Sequence, residues 1–450
     1  MMQDNIPRVH ILWFEPRTET TDHARRIPRQ GVYSPRSPGT LVSVNIRHRG
    51  GSGLSKHADS TRQPTGGYSN GSNEQPAILF ATISVGGGHV ATARAMAEAV
   101  ERHYPGRFER RVSDYMKDLG VTSLDRLHKG FWRRALRFPV VARTGQRLID
   151  AVPRTTVAGQ RRLLRGFARA AARDLMPSPP ALIVSNHGLI TSGLAEAKRL
   201  YGLDVPVLTF ATEPHGISAY WAEPRADHIV APSEEVRRDL VRFGVPEEKT
   251  SVVGYPVGQS FLEAPTKAEA RARLALPDRF TCLISFGGEG VAESDPRAVI
   301  RALLDAEPAP QVVMITGRNQ ALRKRLSSLE ASEDRLRVEG FTDDVAGYLA
   351  ASDVFVGKAG PASVYEALAV GRPAILTGYT ALNEWGVVRF VEEEGLGNYV
   401  KTLEALQKAV WRYASDPSLL EEVALRRQRL GLPSMTEQLA HHIVRYAMSQ

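Results

Sequence analysis

The sequence predicts an α/β protein built from two Rossmann-like, doubly wound domains that face each other across a cleft. From residue 77 onward, short apolar runs bounded by Gly or Pro alternate with helical patterns, as in buried parallel strands joined by right-handed crossover helices. The alternation comes in two successive series, with a polar stretch at 257–270 between them. Ligands of this architecture bind outside the carboxyl ends of the strands, so we expect the functional site in the cleft.

Ten segments carry the strand signal. They are 77–84, 181–186, 206–212, 228–233 and 251–256 in the first series, and 280–288, 311–317, 335–341, 353–360 and 373–379 in the second. We therefore predict a first domain at 76–258, a second domain at 259–435 and a C-terminal helix at 436–450. Residues 1–75 are rich in Gly, Ser, Asn and basic residues and lack apolar periodicity, which predicts a disordered basic tail.

The composition narrows the classes of function. The chain has 450 residues and a formal net charge of +9, which favours anionic partners such as nucleic acid, anionic lipid or a phosphorylated substrate. Cys282 is the only cysteine, which excludes an intrachain disulfide. The sequence contains no apolar run long enough to span a membrane, and its N-terminus lacks the apolar core of a signal peptide. We expect a cytoplasmic location.

The first chemical motif is "VGGGH", where the first predicted strand turns into a helix. Gly86, Gly87 and Gly88 let the backbone approach a ligand closely, and the following helix N-terminus presents free N–H groups. His89 can lose a proton near neutral pH and act as a base. The structural alternative is a tight turn that carries an incidental histidine.

Two further glycine-rich turns follow strands of the second series. The turn "SFGGEG" covers 285–290, and we expect it to face the first turn across the cleft. In "GKAGPASVYEAL", Ser363 can cap a helix or meet a phosphate oxygen. Glu366 can accept two hydrogen bonds from a ribose diol, or simply favour the helix dipole. Asn383 and Glu384 follow in a predicted loop, where they are either solvated or in contact with sugar hydroxyls.

Several enzyme classes lack their signatures in this sequence. We find no zinc motif, no Walker A motif and no G-x-S-x-G elbow. The strict G-x-G-x-x-G fingerprint fails because Ala91 occupies the third glycine position. The form with alanine there fits, but no acid ends a second predicted strand at the spacing that binds a ribose, Asp114 being the nearest candidate. A dinucleotide enzyme is therefore disfavoured.

In their order along the chain, the motifs resemble those of the GT-B glycosyltransferases of family 28, above all the monogalactosyldiacylglycerol synthases and the bacterial diacylglycerol glucosyltransferases. The resemblance covers about Ala77 to Tyr399 and rests on "GGGHVATARAMAEA", "VSDYMKDLG", "FGGEG", "TGRNQAL", "VEGFTDDVAGYLAASDVFVGKAGPASVYEALAVGRPAIL" and "LNEWG". It implies an acceptor-side first domain, a second domain that binds the sugar nucleotide, and inverting transfer without a catalytic metal ion or other cofactor. In many relatives the C-terminal helix crosses back to the first domain.

The resemblance also implies roles for single residues. His89 would act as the base or orient the acceptor hydroxyl, and Asp114 would be a second base candidate. Glu366 would hold the ribose, while Asn383 and Glu384 would contact the sugar. The full set implied at the UDP-sugar is Gly287, Gly288, Glu289, Arg318, Asn319, Phe341, Val345, Lys358, Ser363, Glu366, Asn383 and Glu384.

The sequence departs from the family pattern at three places. Asn383 stands where the lipid synthases usually have glutamine, Ala362 and Ser363 replace the commoner glycine and threonine, and Val90 replaces arginine or a small polar residue. These departures leave the reaction class standing and leave the identity of the donated sugar open.

A basic segment at 126–175 mixes arginines with apolar residues at helical spacing. Its arginines include Arg133, Arg134, Arg137, Arg143, Arg147, Arg161, Arg162, Arg165 and Arg169. This mixture suits helices that lie on an anionic membrane. The structural alternative is a pair of surface helices that pack their Leu and Phe inward. A nucleic-acid site is disfavoured because no binding module accompanies the arginines.

We therefore expect a peripheral membrane glycosyltransferase that moves a hexose from a UDP-sugar to a lipid hydroxyl, most simply that of diacylglycerol. The alternatives are a transferase for a soluble or polyprenyl-linked acceptor, a UDP-sugar 2-epimerase of the same fold, and a binding protein that has lost turnover.

Overall fold

The computed structural model describes residues 75–84, 87–121, 126, 130, 139–288 and 295–449. The predicted basic tail up to residue 74, Gly86, Glu289 and the arginines at 133, 134 and 137 lie outside the described residues. Within the described part of the chain, no helix combines the length and the apolar character needed to cross a bilayer.

The first sheet has six parallel strands in the order β2-β1-β3-β4-β5-β6. The strands are Ala77–Thr82 (β1), Glu109–Asp114 (β2), Leu182–Ser185 (β3), Val207–Phe210 (β4), His228–Ala231 (β5) and Thr250–Val252 (β6). The helices up to the second sheet are Gly88–His103 (α1), Tyr115–Asp118 (α2), Pro139–Ala151 (α3), Pro153–Leu163 (α4), Arg165–Leu175 (α5), Gly188–Tyr201 (α6), Glu234–Arg242 (α7), Gln259–Leu262 (α8) and Lys267–Leu274 (α9).

The second sheet is also parallel, with the order β12-β11-β10-β7-β8-β9. Its strands are Thr281–Ser285 (β7), Gln311–Ile315 (β8), Leu336–Glu339 (β9), Val354–Lys358 (β10), Ala374–Gly378 (β11) and Gly397–Tyr399 (β12). The helices from here on are Pro296–Leu304 (α10), Gln320–Glu330 (α11), Val345–Ala351 (α12), Pro361–Ala369 (α13), Leu382–Glu393 (α14), Leu403–Ser415 (α15), Ser418–Arg429 (α16) and Met435–Ser449 (α17). The strand order reverses between β7 and β10, which opens a crevice at their carboxyl ends.

The predicted fold class is confirmed. Each of the ten predicted segments overlaps one strand, and the two remaining strands of the described residues, β2 and β12, lie at sheet edges. Strand β2, with the sequence ERRVSD, begins with three exposed charged residues, and the valine that follows is exposed too. An edge strand needs no apolar face on both sides, so it lacks the continuous apolar run that reveals a central strand.

Residues on both faces of the central strands are buried, as a doubly wound sheet requires. In β1, Ile78 and Phe80 enter one core cluster, while Leu79 and Ala81 enter another. Alternate side chains of a strand point to opposite faces, so helices must cover both sides of the first sheet.

The last helix, α17, follows the second domain in sequence and packs against α1 of the first. Its buried face carries Leu439, Ala440, Ile443 and Val444. At its start, the Val257 amide donates to Thr436 Oγ1 at 3.0 Å. The end of the chain is thereby attached to the first sheet's layer of helices.

Candidate functional site

The N-termini of α1 and α13 meet in the cleft. A Cβ atom built on Gly88, the first residue of α1, would lie 3.6 Å from the Cβ of Ala362 in the first turn of α13. Gly87 precedes it with φ of 85°, a left-handed conformation that favours glycine. Both helix ends direct N–H groups and positive dipole ends toward the same space, which favours an anionic ligand there.

His89 lies in the first turn of α1 and contacts the ends of two other strands. Its Nδ1 atom is 2.9 Å from Thr212 Oγ1 and 3.2 Å from the carbonyl oxygen of Asn186. The Asn186 side-chain amide in turn donates to the His89 carbonyl oxygen. A carbonyl can only accept, so the contact with Asn186 requires the proton on Nδ1 and makes Nε2 the basic nitrogen of the neutral ring.

Asp114 lies at the carboxyl end of β2, where it is paired in register with Thr82 of β1. Its Oδ2 atom accepts a hydrogen bond from the Ser84 amide at 3.3 Å. Asp114 therefore supports the turn between β1 and α1 that carries His89.

Glu213 follows Thr212 and is a site residue that the sequence analysis missed. The side-chain amide of Asn383, in the second domain, donates a hydrogen bond to Glu213 Oε2. Burial raises the pKa of Glu213 to about 7. The Asn383 amide and Lys358 oppose this rise, whereas the negative charge of Glu384 adds to it. An acid with such a pKa can exchange a proton near neutral pH.

A usable signal for these missed residues does exist in the sequence. Asn186 follows β3 directly, in "VSN", and Thr212 and Glu213 come two and three residues after the end of β4, in "FATE". The carboxyl ends of parallel strands meet at one edge of the sheet, so polar residues in that position are site candidates without any glycine motif.

Glu384 is held as a carboxylate in the second domain. Lys358 Nζ, at the end of β10, is 3.0 Å from Glu384 Oε1, and the Thr380 amide donates to Oε2. Burial works against ionisation, but Lys358 and the Thr380 amide outweigh it and lower the pKa of Glu384. Lys358 and Glu384 were both predicted to bind the UDP-sugar, and here the lysine balances the charge of the glutamate.

The predicted loop around Asn383 and Glu384 is wrong. Both residues lie in the first turn of α14, which begins at Leu382. An acid in the first turn of a helix is favoured by the helix dipole, and Glu384 is that acid. The polar pair therefore has the geometry of a helical turn.

The remaining predicted donor residues lie at the carboxyl edge of the second sheet. The Arg318 amide donates to the Gly288 carbonyl at 2.9 Å, and the Arg318 guanidinium stacks 4.4 Å above the Phe341 ring. Asn319 caps α11 through its Oδ1 atom, which accepts from the Leu322 amide. The first of these contacts joins the turn at 287–288 to the turn after β8.

Ser363 and Glu366 both lie in α13, and Val345 begins α12. Burial raises the pKa of Glu366 to about 8. Glu366 is half-buried and lies one turn into α13, and its predicted contact with a ribose stays a prediction.

Two family models match successive parts of the chain. Residues 102–257 match Glycosyltransferase Family 4, and residues 292–438 match the Glycosyltransferase family 28 C-terminal domain. The chain is a GT-B glycosyltransferase with a family 28 C-terminal domain. The resemblance to family 28 is thus confirmed in the second domain, and the first domain matches a different family model.

Known proteins similar to this glycosyltransferase include plant enzymes. The probable monogalactosyldiacylglycerol synthase of Nicotiana tabacum is 28% identical over 83% of this chain and 71% of its own length. Monogalactosyldiacylglycerol synthase 1 of Arabidopsis thaliana is 28% identical over 89% of this chain and 78% of its own length. The crystal structure of Anabaena Alr3699/HepE in complex with UDP shares 16% identity with a TM-score of 0.51, covering 83% of this chain and all of that one. This structural likeness supports the GT-B fold.

The basic helix α3 of the glycosyltransferase contacts the second domain just before α14. The Arg143 guanidinium donates to the carbonyl oxygens of Tyr379 and Thr380 and stacks 4.1 Å above the Tyr379 ring. Gln146 Oε1 accepts from the Leu382 amide at 3.1 Å. We name Arg143 and Gln146 the α3 clamp. Arg143 and Tyr379 are 236 positions apart, so no local sequence pattern could reveal the contact.

A stack of rings completes the contact between the two domains of the glycosyltransferase. The His215 ring packs 4.2 Å from that of Phe390, and His215 Nε2 is 3.0 Å from the Tyr365 hydroxyl. Burial, together with Arg389, lowers the pKa of His215 to about 4, so the ring is neutral at neutral pH. A neutral ring can remain buried in this interface without an unbalanced charge.

Proposed function

We propose that this glycosyltransferase transfers a hexose from a UDP-sugar to a lipid hydroxyl, diacylglycerol being the simplest acceptor. The observation that carries the proposal is the meeting of α1 and α13, which sets His89 beside a helix end suited to a diphosphate. The names of the plant relatives, which are galactolipid synthases, support a lipid acceptor. The UDP in the Anabaena complex supports a uridine nucleotide donor.

His89 is the base that we favour. Its Nδ1 proton is directed to Asn186 and Thr212, so Nε2 would take the proton of the acceptor hydroxyl as that oxygen attacks the anomeric carbon. The carbon–oxygen bond to UDP breaks from the opposite face, which inverts the configuration. Asp114 remains the second candidate, with its Oδ2 engaged by the Ser84 amide.

The leaving UDP needs stabilisation because it takes up negative charge. The N-terminus of α13 and the Arg318 guanidinium are the groups that we propose for this role. We expect transfer to need no metal ion, with Glu366 on the ribose and the pair Asn383 and Glu384 on the sugar. Because the Asn383 amide already bonds to Glu213, both domains would contribute to the sugar site.

Helices α3 to α5 give the first domain an outward face that suits an anionic membrane. Val157, Leu164 and Phe167 are buried, whereas other apolar residues remain exposed beside exposed arginines. The exposed set is Val140, Leu148, Val152 and Leu163 with Arg147, Arg154, Arg162, Arg165 and Arg169. We propose that this face, which we name the basic face, holds the enzyme at the bilayer surface.

The test of the reaction uses anionic liposomes that contain diacylglycerol, a panel of radiolabelled UDP-sugars and excess EDTA. We expect label in the organic extract from one donor, and a loss of turnover on the order of a hundredfold or more for His89→Asn with UDP binding retained. Asp114→Asn tests the second base candidate in the same assay, and it should keep more turnover than His89→Asn. Release of UDP without lipid label would overturn the lipid acceptor, and an isomerised sugar without acceptor would establish the epimerase alternative.

The test of the basic face is flotation with anionic and neutral liposomes. Arg162→Ala with Arg169→Ala should weaken anionic binding by about 1 kcal/mol for each arginine. The control removes two exposed arginines of the second domain, Arg301 and Arg325. Equal weakening by both pairs would mean that net charge alone, and not this face, governs membrane binding.

A further inference from the structure

Two histidines and a glutamate converge where α17 crosses α1. His103, at the end of α1, lies beside Glu437 and His441 on α17, and the ligand atoms of the three side chains all lie within 4.8 Å of one another. His103 is fourteen residues after His89, or about 21 Å along the helix at 1.5 Å per residue. The cluster is therefore separate from the candidate active site.

Both histidine nitrogens lie close to the same carboxylate oxygen. Glu437 Oε1 is 3.5 Å from His441 Nε2 and 3.9 Å from His103 Nδ1. Four-coordinate zinc with bonds of about 2.1 Å holds neighbouring ligand atoms about 3.4 Å apart. Small rotations of the three side chains would close the remaining gaps, since Glu437 and His441 already share one face of α17 one turn apart.

The orientation of His441 is fixed from behind. The Tyr104 hydroxyl lies 2.8 Å from His441 Nδ1, on the side of the ring away from the cluster. Metal-binding histidines use such an outer hydrogen bond to fix the tautomer and aim the other nitrogen at the ion. The contact joins residues 337 positions apart, so both partners come together only when α17 has packed on α1.

We propose that His103, Glu437 and His441 bind a divalent transition metal of the zinc class, with water at the fourth position, and that the ion fastens the C-terminal helix to the first domain. Two imidazoles and one carboxylate suit zinc, whereas magnesium and calcium prefer oxygen ligands. The side chains are between a quarter and about half exposed, so an ion reaches the site from solvent.

The site would act on stability rather than on the transfer reaction. A metal ion that binds only the folded chain raises the free energy of unfolding with its concentration. The buried face of α17 holds the helix without the ion, and the ion adds a link between α17 and the C-terminal end of α1.

The experiment measures zinc binding to the full chain by competition with a chromophoric chelator. The chain has 12 histidines, so the readout is the difference between variants. His103→Ala and Glu437→Gln should each lose one equivalent of tightly bound zinc, and Tyr104→Phe should weaken that equivalent about tenfold. Magnesium should not compete. His442→Ala is the matched control, because the neighbouring histidine faces His228 and Ser251 instead.

Two further readouts separate a metal site from an ion pair between Glu437 and protonated histidines. Cobalt bound to the wild type should show the visible bands of a tetrahedral N- and O-ligand set, and zinc should raise the Tm of wild type but not of His103→Ala. The proposal is overturned if wild type and His103→Ala bind the same equivalents of zinc, or if zinc shifts both Tm values equally.

Discussion

The Asn383 side-chain amide donates a hydrogen bond to the Glu213 carboxylate across the cleft between the two domains. Glu213 lies three residues after the end of β4 in the first sheet, and Asn383 lies in the first turn of α14, which follows β11 of the second sheet. The shorter amide at this position, where the resembling lipid synthases usually have glutamine, therefore has a partner in this chain. Because Asn383 is also proposed to contact the sugar, the position of the sugar would depend on how closely the two domains approach each other.

Replacement of Glu213 by glutamine should remove a pH dependence of both stability and kcat/KM near pH 7. Burial raises the pKa of Glu213 to about 7, so the folded state holds this proton more tightly than the unfolded chain does. The contribution of Glu213 to the free energy of unfolding should therefore be fully present below the ordinary glutamate pKa and be lost as the pH rises toward 7. Glu213→Gln should lack this decline, and its kcat/KM profile should lose an inflection near pH 7. Urea unfolding and steady-state rates across that range provide the measurement.

Glu98→Gln, which changes an exposed acid on α1, is the control for Glu213→Gln. It should keep both the stability profile and the inflection of the wild type. An inflection that survives in Glu213→Gln would assign the titration to another group.

Loss of the α3 clamp should weaken donor binding. Arg143→Ala removes two hydrogen bonds and a stacked cation next to Tyr379, which should raise the KM for the UDP-sugar about tenfold. Arg147→Ala removes the same charge from an exposed position on α3. Liposome flotation should respond equally to both variants, and donor KM should respond only to Arg143→Ala. Equal KM values would show that the clamp does not position the donor site.

A side chain at Gly386 should prevent the two domains from approaching. A Cβ there would lie 1.9 Å from the carbonyl oxygen of His215, and backbone atoms cannot yield as the end of a flexible side chain can. Gly386→Ala should therefore lose most of its turnover and increase the radius of gyration in X-ray scattering. Gly159→Ala, whose added Cβ meets nothing within 4 Å, serves as control. Full activity in Gly386→Ala would contradict a closed cleft as the active form.

The packing of the basic helices on the first domain should be sensitive to one glycine. A Cβ on Gly193 of α6 would lie 2.3 Å from the Phe167 ring of α5. Gly193→Ala should destabilise the protein by roughly 1–3 kcal/mol, although alanine gains about 1 kcal/mol of helix propensity. Thermal unfolding measures the loss. Adding Phe167→Leu to Gly193→Ala should restore part of the lost stability. If Gly193→Ala is as stable as the wild type, the Phe167 ring does not pack against Gly193.

The sequence by itself determined the two-domain fold and the central strands. Apolar runs such as 77–82 and 311–315 must be buried on both faces, so their composition reveals them without knowledge of the neighbours. The glycine turn before His89 and the acid Glu366 were likewise visible, because helix ends and turns depend on local residues. Strand β2 was not predicted, because an edge strand can consist of charged residues and then lacks an apolar run.

Only the tertiary structure decided which residues share the cleft and the helix crossing. Glu213 meets Asn383, Arg143 meets Tyr379, and His103 meets His441 across long stretches of chain. None of these contacts has a local pattern, since each partner satisfies its own helix or strand equally well without the other. They exist because two sheets and a returning helix bring distant surfaces together, and hydrogen bonding and packing at those surfaces depend on three-dimensional position.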